Sequence, residues 1–210
     1  MISKDDLPLI GILRGIAEKD VKPLAEIFVE HGIKHVEVTM NTNNASQLIA
    51  LFNEAGGDKL NIGAGTVLDK NDLNEALSAG AKFIVSPSLI KEVIEGCISK
   101  EIPVIPGALT PTEIHTAWTM GATMVKLFPA SLFGPGYLRA VKAPFNSIKI
   151  IAVGGVGPQN IVKFFENGAD AIAFGAGIVR PNWLKENQYP QIGQHLKSLI
   201  DAYNNQSSVH

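Results

Sequence analysis

Short runs of apolar residues alternate with amphipathic stretches along the whole chain. The runs are Leu9–Leu13, Val36–Met40, Leu60–Ala64, Phe83–Val85, Pro103–Ile105, Met124–Phe128, Ile148–Val153 and Ala171–Phe174, eight in all. They are rich in Ile and Val, and few alternate cleanly with polar residues. That is the pattern of parallel strands covered on both faces. Between the first two runs, Val21, Leu24, Ala25, Phe28 and Val29 recur at helical spacing and stop before Gly32. Thr110-Pro111-Thr112-Glu113 predicts a helix start, with a capping threonine, a proline in the first turn and a glutamate that closes a capping box. Other helices are predicted from near Asp69, Ser88 and Pro158, and over Gln191–Tyr203. The polar tail 204–210 is expected to fray.

Eight alternations of strand and helix predict an α/β chain folded as a (β/α)8 TIM barrel, a single domain over residues 1–210. An open doubly wound sheet is the rival. An internal repeat favours the barrel. Gly32-Ile-Lys-His-Val, Gly80-Ala-Lys-Phe-Ile, Gly121-Ala-Thr-Met-Val and Gly168-Ala-Asp-Ala-Ile recur at intervals of 48, 41 and 47 residues. Each glycine suits the left-handed position that ends a helix just before a strand. A quarter-barrel period through the chain speaks for closure.

The repeat also aligns the strands. Five residues past the four glycines stand Glu37, Val85, Lys126 and Ala173. Inward residues of alternate strands share layers in such barrels, so Glu37 and Lys126 are expected in one layer, facing each other across the axis near the C-terminal mouth. Two readings follow. The pair is structural, either an ion plug that is costly to desolvate or, with the alignment off by one, two side chains facing the helices; or it is an amine and a carboxyl poised in a dry cup. In the second, desolvation makes the neutral amine accessible as a nucleophile, and the carboxyl moves protons. Gly154, Gly155, Gly175 and Ala176 fall in the loops after strands 7 and 8, where barrels often hold a phosphate. Thr66 is either a helix cap or a hydroxyl for a substrate carboxylate. Arg14 is either a rim charge or the anion partner of a keto acid. His35 is expected low in the barrel beside Phe83 and Met124, and Trp118 and Trp183 are expected to pack.

Composition narrows the setting. Of 210 residues, 46% are apolar and 18% charged, which excludes a largely disordered chain. The net charge of −2 gives no overall attraction to nucleic acid or an anionic membrane. No signal peptide or transmembrane run is visible. Cys97 is the single cysteine, which fits a reducing cytoplasm and leaves no cysteine-based zinc site. The five histidines show no metal-ligand spacing, so no metal is expected.

Several of these residues carry a resemblance. Glu37-Val38-Thr39, Gly63-Ala64-Gly65-Thr66-Val67, Ser86-Pro87, Ile105-Pro106-Gly107, Lys126-Leu127-Phe128-Pro129 and Gly154-Gly155 stand in an order and spacing that resemble the class I aldolases of 2-keto-3-deoxy-6-phosphogluconate (KDPG), with their relatives for the galactonate epimer and for 4-hydroxy-2-oxoglutarate. The resemblance spans about residues 7 to 203. It implies Lys126 as the imine-forming lysine and Glu37 as the general acid/base. Thr66, Pro87 and Phe128 would line the keto-acid pocket, and Gly154, Gly155 and Gly175 would cradle the phosphate. Ala176 stands where a serine is common. Asn41 stands where gluconate-type members often carry arginine, and Arg14 is expected to meet the same anion. The implied partners are a phosphorylated keto sugar acid, pyruvate and glyceraldehyde 3-phosphate, with no cofactor and a homotrimeric assembly. Two rivals stay open: a phosphate-binding barrel enzyme that forms no imine, such as an isomerase, and a non-catalytic sugar-phosphate binder.

Overall fold

The computed structural model describes residues 6–206. Parallel strands alternate with helices: β1 (Leu9–Leu13), α1 (Glu18–Glu30), β2 (His35–Thr39), α2 (Ala45–Gly56), β3 (Asn61–Gly65), α3 (Lys70–Ser78), β4 (Ile84–Val85), α4 (Lys91–Ile98), β5 (Val104–Ile105), β6 (Gly107–Ala108), α5 (Pro111–Thr119), β7 (Val125–Leu127), α6 (Gly134–Lys142), β8 (Ile150–Val153), α7 (Ile161–Glu166), β9 (Ala171–Phe174), α8 (Pro181–Lys185) and α9 (Tyr189–Gln206). The order in the sheet is β5-β4-β3-β2-β1-β9-β8-β7-β6.

The two ends of that order are one stave of a barrel. β5 pairs with β4, β6 pairs with β7, and only Pro106 separates β5 from β6. Pro106 has no N–H to add to the ladder, and it divides the fifth strand into two short segments. Its carbonyl still accepts from Lys126 N–H at 2.9 Å, and Thr123 N–H reaches the Val104 carbonyl at 2.9 Å. The fold is thus the expected TIM barrel, with nine strand segments among the described residues where eight runs were expected.

Local signals act as the sequence predicts at several helix ends. Gly32, Gly80, Gly121 and Gly168 all have φ between +72° and +96°, the left-handed geometry that ends a helix cheaply only with glycine. Thr110 and Glu113 form the full capping box of α5, and Asp69 caps α3. Helices α4 and α7 begin later than expected, at Lys91 and Ile161, after short turns. The tail departs from expectation too: α9 continues to Gln206, and residues 207–210, like 1–5, lie outside the described residues.

Two apolar cores result. Between sheet and helices lie Phe28, Phe52 and Phe164 among many aliphatics, and each such burial contributes roughly 1.5–3 kcal/mol. Inside the barrel sit Ile10, Phe83, Val85, Met124, Ala171 and Ala173. Low in this interior, His35 meets Phe83 edge-on with ring centroids 6.3 Å apart. Its two ring nitrogens are engaged by Asp6 at 3.1 Å and Asn61 at 3.0 Å. His35 therefore has the structural place its spacing predicts.

Candidate active site

The layer above His35 carries the chemistry. Glu37 and Lys126 are 2% and 5% exposed, and with Val85 and Ala173 they border the same inner space. The glycine-based alignment thus puts both side chains inside the barrel, not against the helices. Two glycines of β3 make room for their neighbours. A Cβ at Gly63 would stand 2.5 Å from the Phe83 ring, and a Cβ at Gly65 would stand 2.7 Å from Cδ of Glu37.

Burial works on the two charges in opposite directions. It raises the Glu37 carboxyl above its ordinary value, and the Lys126 and Arg14 cations oppose that rise. It lowers the Lys126 amine, helped by Arg14 and opposed by Glu37. Both shifts favour the neutral forms, an acid that can donate and an amine that can attack. The Lys126 ammonium stands 5.1 Å from the centroid of the Phe128 ring.

Above the pair opens a cavity of about 650 Å³ at the C-terminal mouth of the barrel. Arg14, Thr66, Pro87 and Phe128 line it together with Glu37 and Lys126. Arg14 follows β1 but turns across β2: its Nη2 donates to Thr66 Oγ1 at 3.3 Å. Thr66 has φ +55°. A β-branched residue in that region is strained, and such strain recurs where a functional group must be aimed.

The opposite wall is built of loop backbone. Gly154 and Gly155 have φ +96° and +74°, and a Cβ on Gly155 would meet Ser131 Cβ at 2.5 Å. After β9, Ile178 and Val179 N–H both donate to the Gly175 carbonyl at 2.9 Å. Ala176 and Gly177 therefore open a helical turn, whose first N–H groups have no carbonyl within the turn to meet. Gly154, Gly155, Gly175 and Ala176 all line the cavity. Such a wall suits an anion.

Asn41 is the exception among the residues singled out from the sequence. It lies outside this lining and is exposed. The turn after β2 is pinned by Thr42, whose N–H reaches the Thr39 carbonyl at 2.9 Å and whose hydroxyl meets Thr39 Oγ1 and Gly15 N–H, each at 3.0 Å. Thr42 is turned inward and Asn41 stands at the tip. Three polar lining residues escaped the sequence reading: Gln159, Arg180 and His195. Arg180 had a usable signal, a cation just past the glycine loop of the last strand. His195 belongs to α9, which no local pattern links to the barrel mouth. Among the described residues, no group of three or more His, Cys, Asp or Glu side chains is placed to hold a metal ion.

Comparison with known proteins gives one answer. Residues 3–195 match the family model for KDPG and KHG aldolase, where KHG denotes 4-hydroxy-2-oxoglutarate. The 2-dehydro-3-deoxy-6-phosphogalactonate aldolase of Escherichia coli strain K12 is 36% identical over 197 residues, covering 93% of this chain and 96% of the relative. A solved structure described as native KDPGal superimposes with a TM-score of 0.92 at 33% identity, covering all of both chains. A KDPG aldolase from Legionella pneumophila, solved with pyruvate captured as a covalent carbinolamine, superimposes with a TM-score of 0.83 at 28% identity, covering 92% of this chain and 94% of that one.

Proposed function

Because the chain belongs to the KDPG and KHG aldolase family, we propose that it cleaves a 2-keto-3-deoxy-6-phospho sugar acid to pyruvate and glyceraldehyde 3-phosphate through an imine on Lys126. The observation that carries this reading is the burial of Lys126 and Glu37 in one cavity, with the amine shifted down and the carboxyl shifted up.

Lys126 Nζ attacks the C2 carbonyl to give a carbinolamine. Glu37 donates a proton to the departing hydroxyl, water leaves, and a protonated imine remains. The Glu37 carboxylate then takes the proton of the C4 hydroxyl. The C3–C4 bond breaks, its electrons flow into the imine, and the aldehyde departs. Glu37 returns the proton to C3 of the enamine. Water hydrolyses the new imine, releasing pyruvate and free Lys126. The lysine supplies the electrophile, so the cycle calls for no cofactor, and EDTA should leave it intact. Arg14 and Thr66 are assigned to the keto-acid carboxylate, and Pro87 and Phe128 to the walls around it. The loops at Gly154, Gly155, Gly175 and Ala176 are assigned to the phosphate. The galactonate epimer is the preferred substrate in this reading, supported by the likeness to the E. coli galactonate aldolase.

Pyruvate with borohydride should inactivate the protein and leave a reduced adduct on Lys126, and Lys126→Ala should abolish trapping. An adduct on another lysine, or none, would overturn the imine and favour a barrel enzyme that works without one. Cleavage rates on the two epimers and on 4-hydroxy-2-oxoglutarate then rank the substrates. The reading extends to a cytoplasmic homotrimer. The exposed Leu132 and Phe133 beside the mouth, 62% and 56% accessible, suit cover by a second copy. Sedimentation would measure the assembly.

A further inference from the structure

The cavity carries two guanidinium groups, and they do not serve the same end. Arg14 leans over β2 to Thr66, toward the β3 side of the mouth. On the β8–β9 side, where the glycine loops stand, the cavity is bordered by Arg180. Its guanidinium carbon lies 4.6 Å from the centroid of the Trp183 ring. Trp183 is braced in turn by His195, ring centroids 4.7 Å apart at 73°. A guanidinium resting on an aromatic face is partly pre-ordered and keeps its in-plane N–H groups available for an oxyanion.

We infer that Arg180, held against Trp183, is a specificity-determining residue that binds the phosphate of the substrate beside the Gly154–Gly155 and Gly175–Gly177 loops. The inference rests on the aldolase reading above and deepens it. Backbone amides alone give this wall partial charges, and residue 176 is alanine, which has no hydroxyl to donate. A phosphate ester near neutral pH carries close to two negative charges, which a full cation on the same wall would meet. Trp183 is then a positioning residue, acting through Arg180.

The test compares a phosphorylated substrate with one that lacks the group. KM and kcat are measured on the full chain with the phosphorylated galactonate substrate and with 4-hydroxy-2-oxoglutarate. Inhibition by inorganic phosphate is measured alongside. Arg180→Ala should raise the ratio of the two KM values by about tenfold or more, the scale of a lost charged hydrogen bond, and weaken phosphate inhibition in parallel. Arg180→Lys keeps the charge and loses the planar fork, so it should fall between, and it serves if the alanine variant folds poorly. Trp183→Leu should raise the same ratio less, and Trp183→Phe should largely restore it. An unchanged ratio in both Arg180 variants, or equal losses on both substrates, would overturn the inference. Failure of the aldolase reading itself would show separately, as wild-type protein that forms no pyruvate adduct on Lys126.

Discussion

The carboxyl group of Glu37 fills the space that a side chain at position 65 would need. A Cβ built on Gly65 falls 2.7 Å from Glu37 Cδ. The same strand holds a matched control, because a Cβ on Gly63 falls 2.5 Å from the Phe83 ring. Each substitution to alanine overpacks the barrel and should cost about 1–3 kcal/mol of stability. Only Gly65→Ala should also displace the proton shuttle. Thermal melts should move similarly for the two variants, while kcat should fall much further for Gly65→Ala. Equal kcat losses would mean that Glu37 has room to adjust.

Glu37→Gln should fold and lose about 10²–10⁴-fold in cleavage rate, the range for a general acid/base. Single-turnover cleavage by the purified variant measures this. A near-normal rate would assign proton transfer to another group.

The pH dependence of imine trapping has a definite sign. The Lys126 amine is lowered first by burial, then pulled back up by Glu37 and pushed further down by Arg14. The neutral amine is the nucleophile, so trapping by pyruvate and borohydride should rise with pH through a midpoint below the ordinary lysine value. Glu37→Gln removes the attraction that holds the ammonium proton and should move that midpoint lower. Arg14→Ala removes the repulsion and should move it higher. The readout is the midpoint, not the amplitude, since Glu37 also serves the dehydration step. Shifts of the same sign in both variants would contradict the electrostatics.

Thr66 carries strain for its position. Its φ of +55° suits glycine and not a β-branched residue. Left-handed geometry costs an ordinary side chain about 1–2 kcal/mol, whereas added glycine freedom in the unfolded chain returns roughly 0.4–1 kcal/mol of that. Thr66→Gly should therefore leave the melting temperature unchanged or slightly raised. It should raise KM for pyruvate in trapping, since the hydroxyl that Arg14 meets at 3.3 Å is gone. A marked loss of stability would show that the Thr66 side chain holds the loop.

Much of this was legible in the sequence because it follows from period and backbone. Four helix-ending glycines put Glu37 and Lys126 at one height, and the closed sheet turns that into a shared layer. Thr110 and Glu113 announce α5 by local hydrogen bonding alone. What was hidden depends on residues far apart in the chain. The broken fifth stave shows only once β5 pairs with β4 on one side and β6 with β7 on the other. The need for glycine at 63 and 65 comes from side chains of β2 and of the segment entering β4. His195 reaches the cavity from α9, where its ring meets Trp183. Asn41 lies outside the lining, because strand order predicts neighbouring loops but not which residue of a turn points inward.

Arg14 and Asn41 separate those two cases by experiment. Both follow strands that pair directly, β1 and β2. Arg14 borders the cavity and donates to Thr66, whereas Asn41 stands at an exposed turn tip outside the lining. If the keto-acid carboxylate is held by the Arg14 guanidinium, Arg14→Ala should raise KM for pyruvate and for the full sugar acid together, by about tenfold or more for a lost charged contact. Asn41→Ala should leave both within about twofold, as exposed substitutions away from such contacts usually do. Saturation curves for trapping and for cleavage, run on both variants, give the comparison. A large effect at Asn41 would mean that the turn closes over bound substrate, with Thr42 as its pivot. A small effect at Arg14 would move the carboxylate to backbone donors near Thr66, and Arg14 would remain as the charge that keeps the Lys126 amine low.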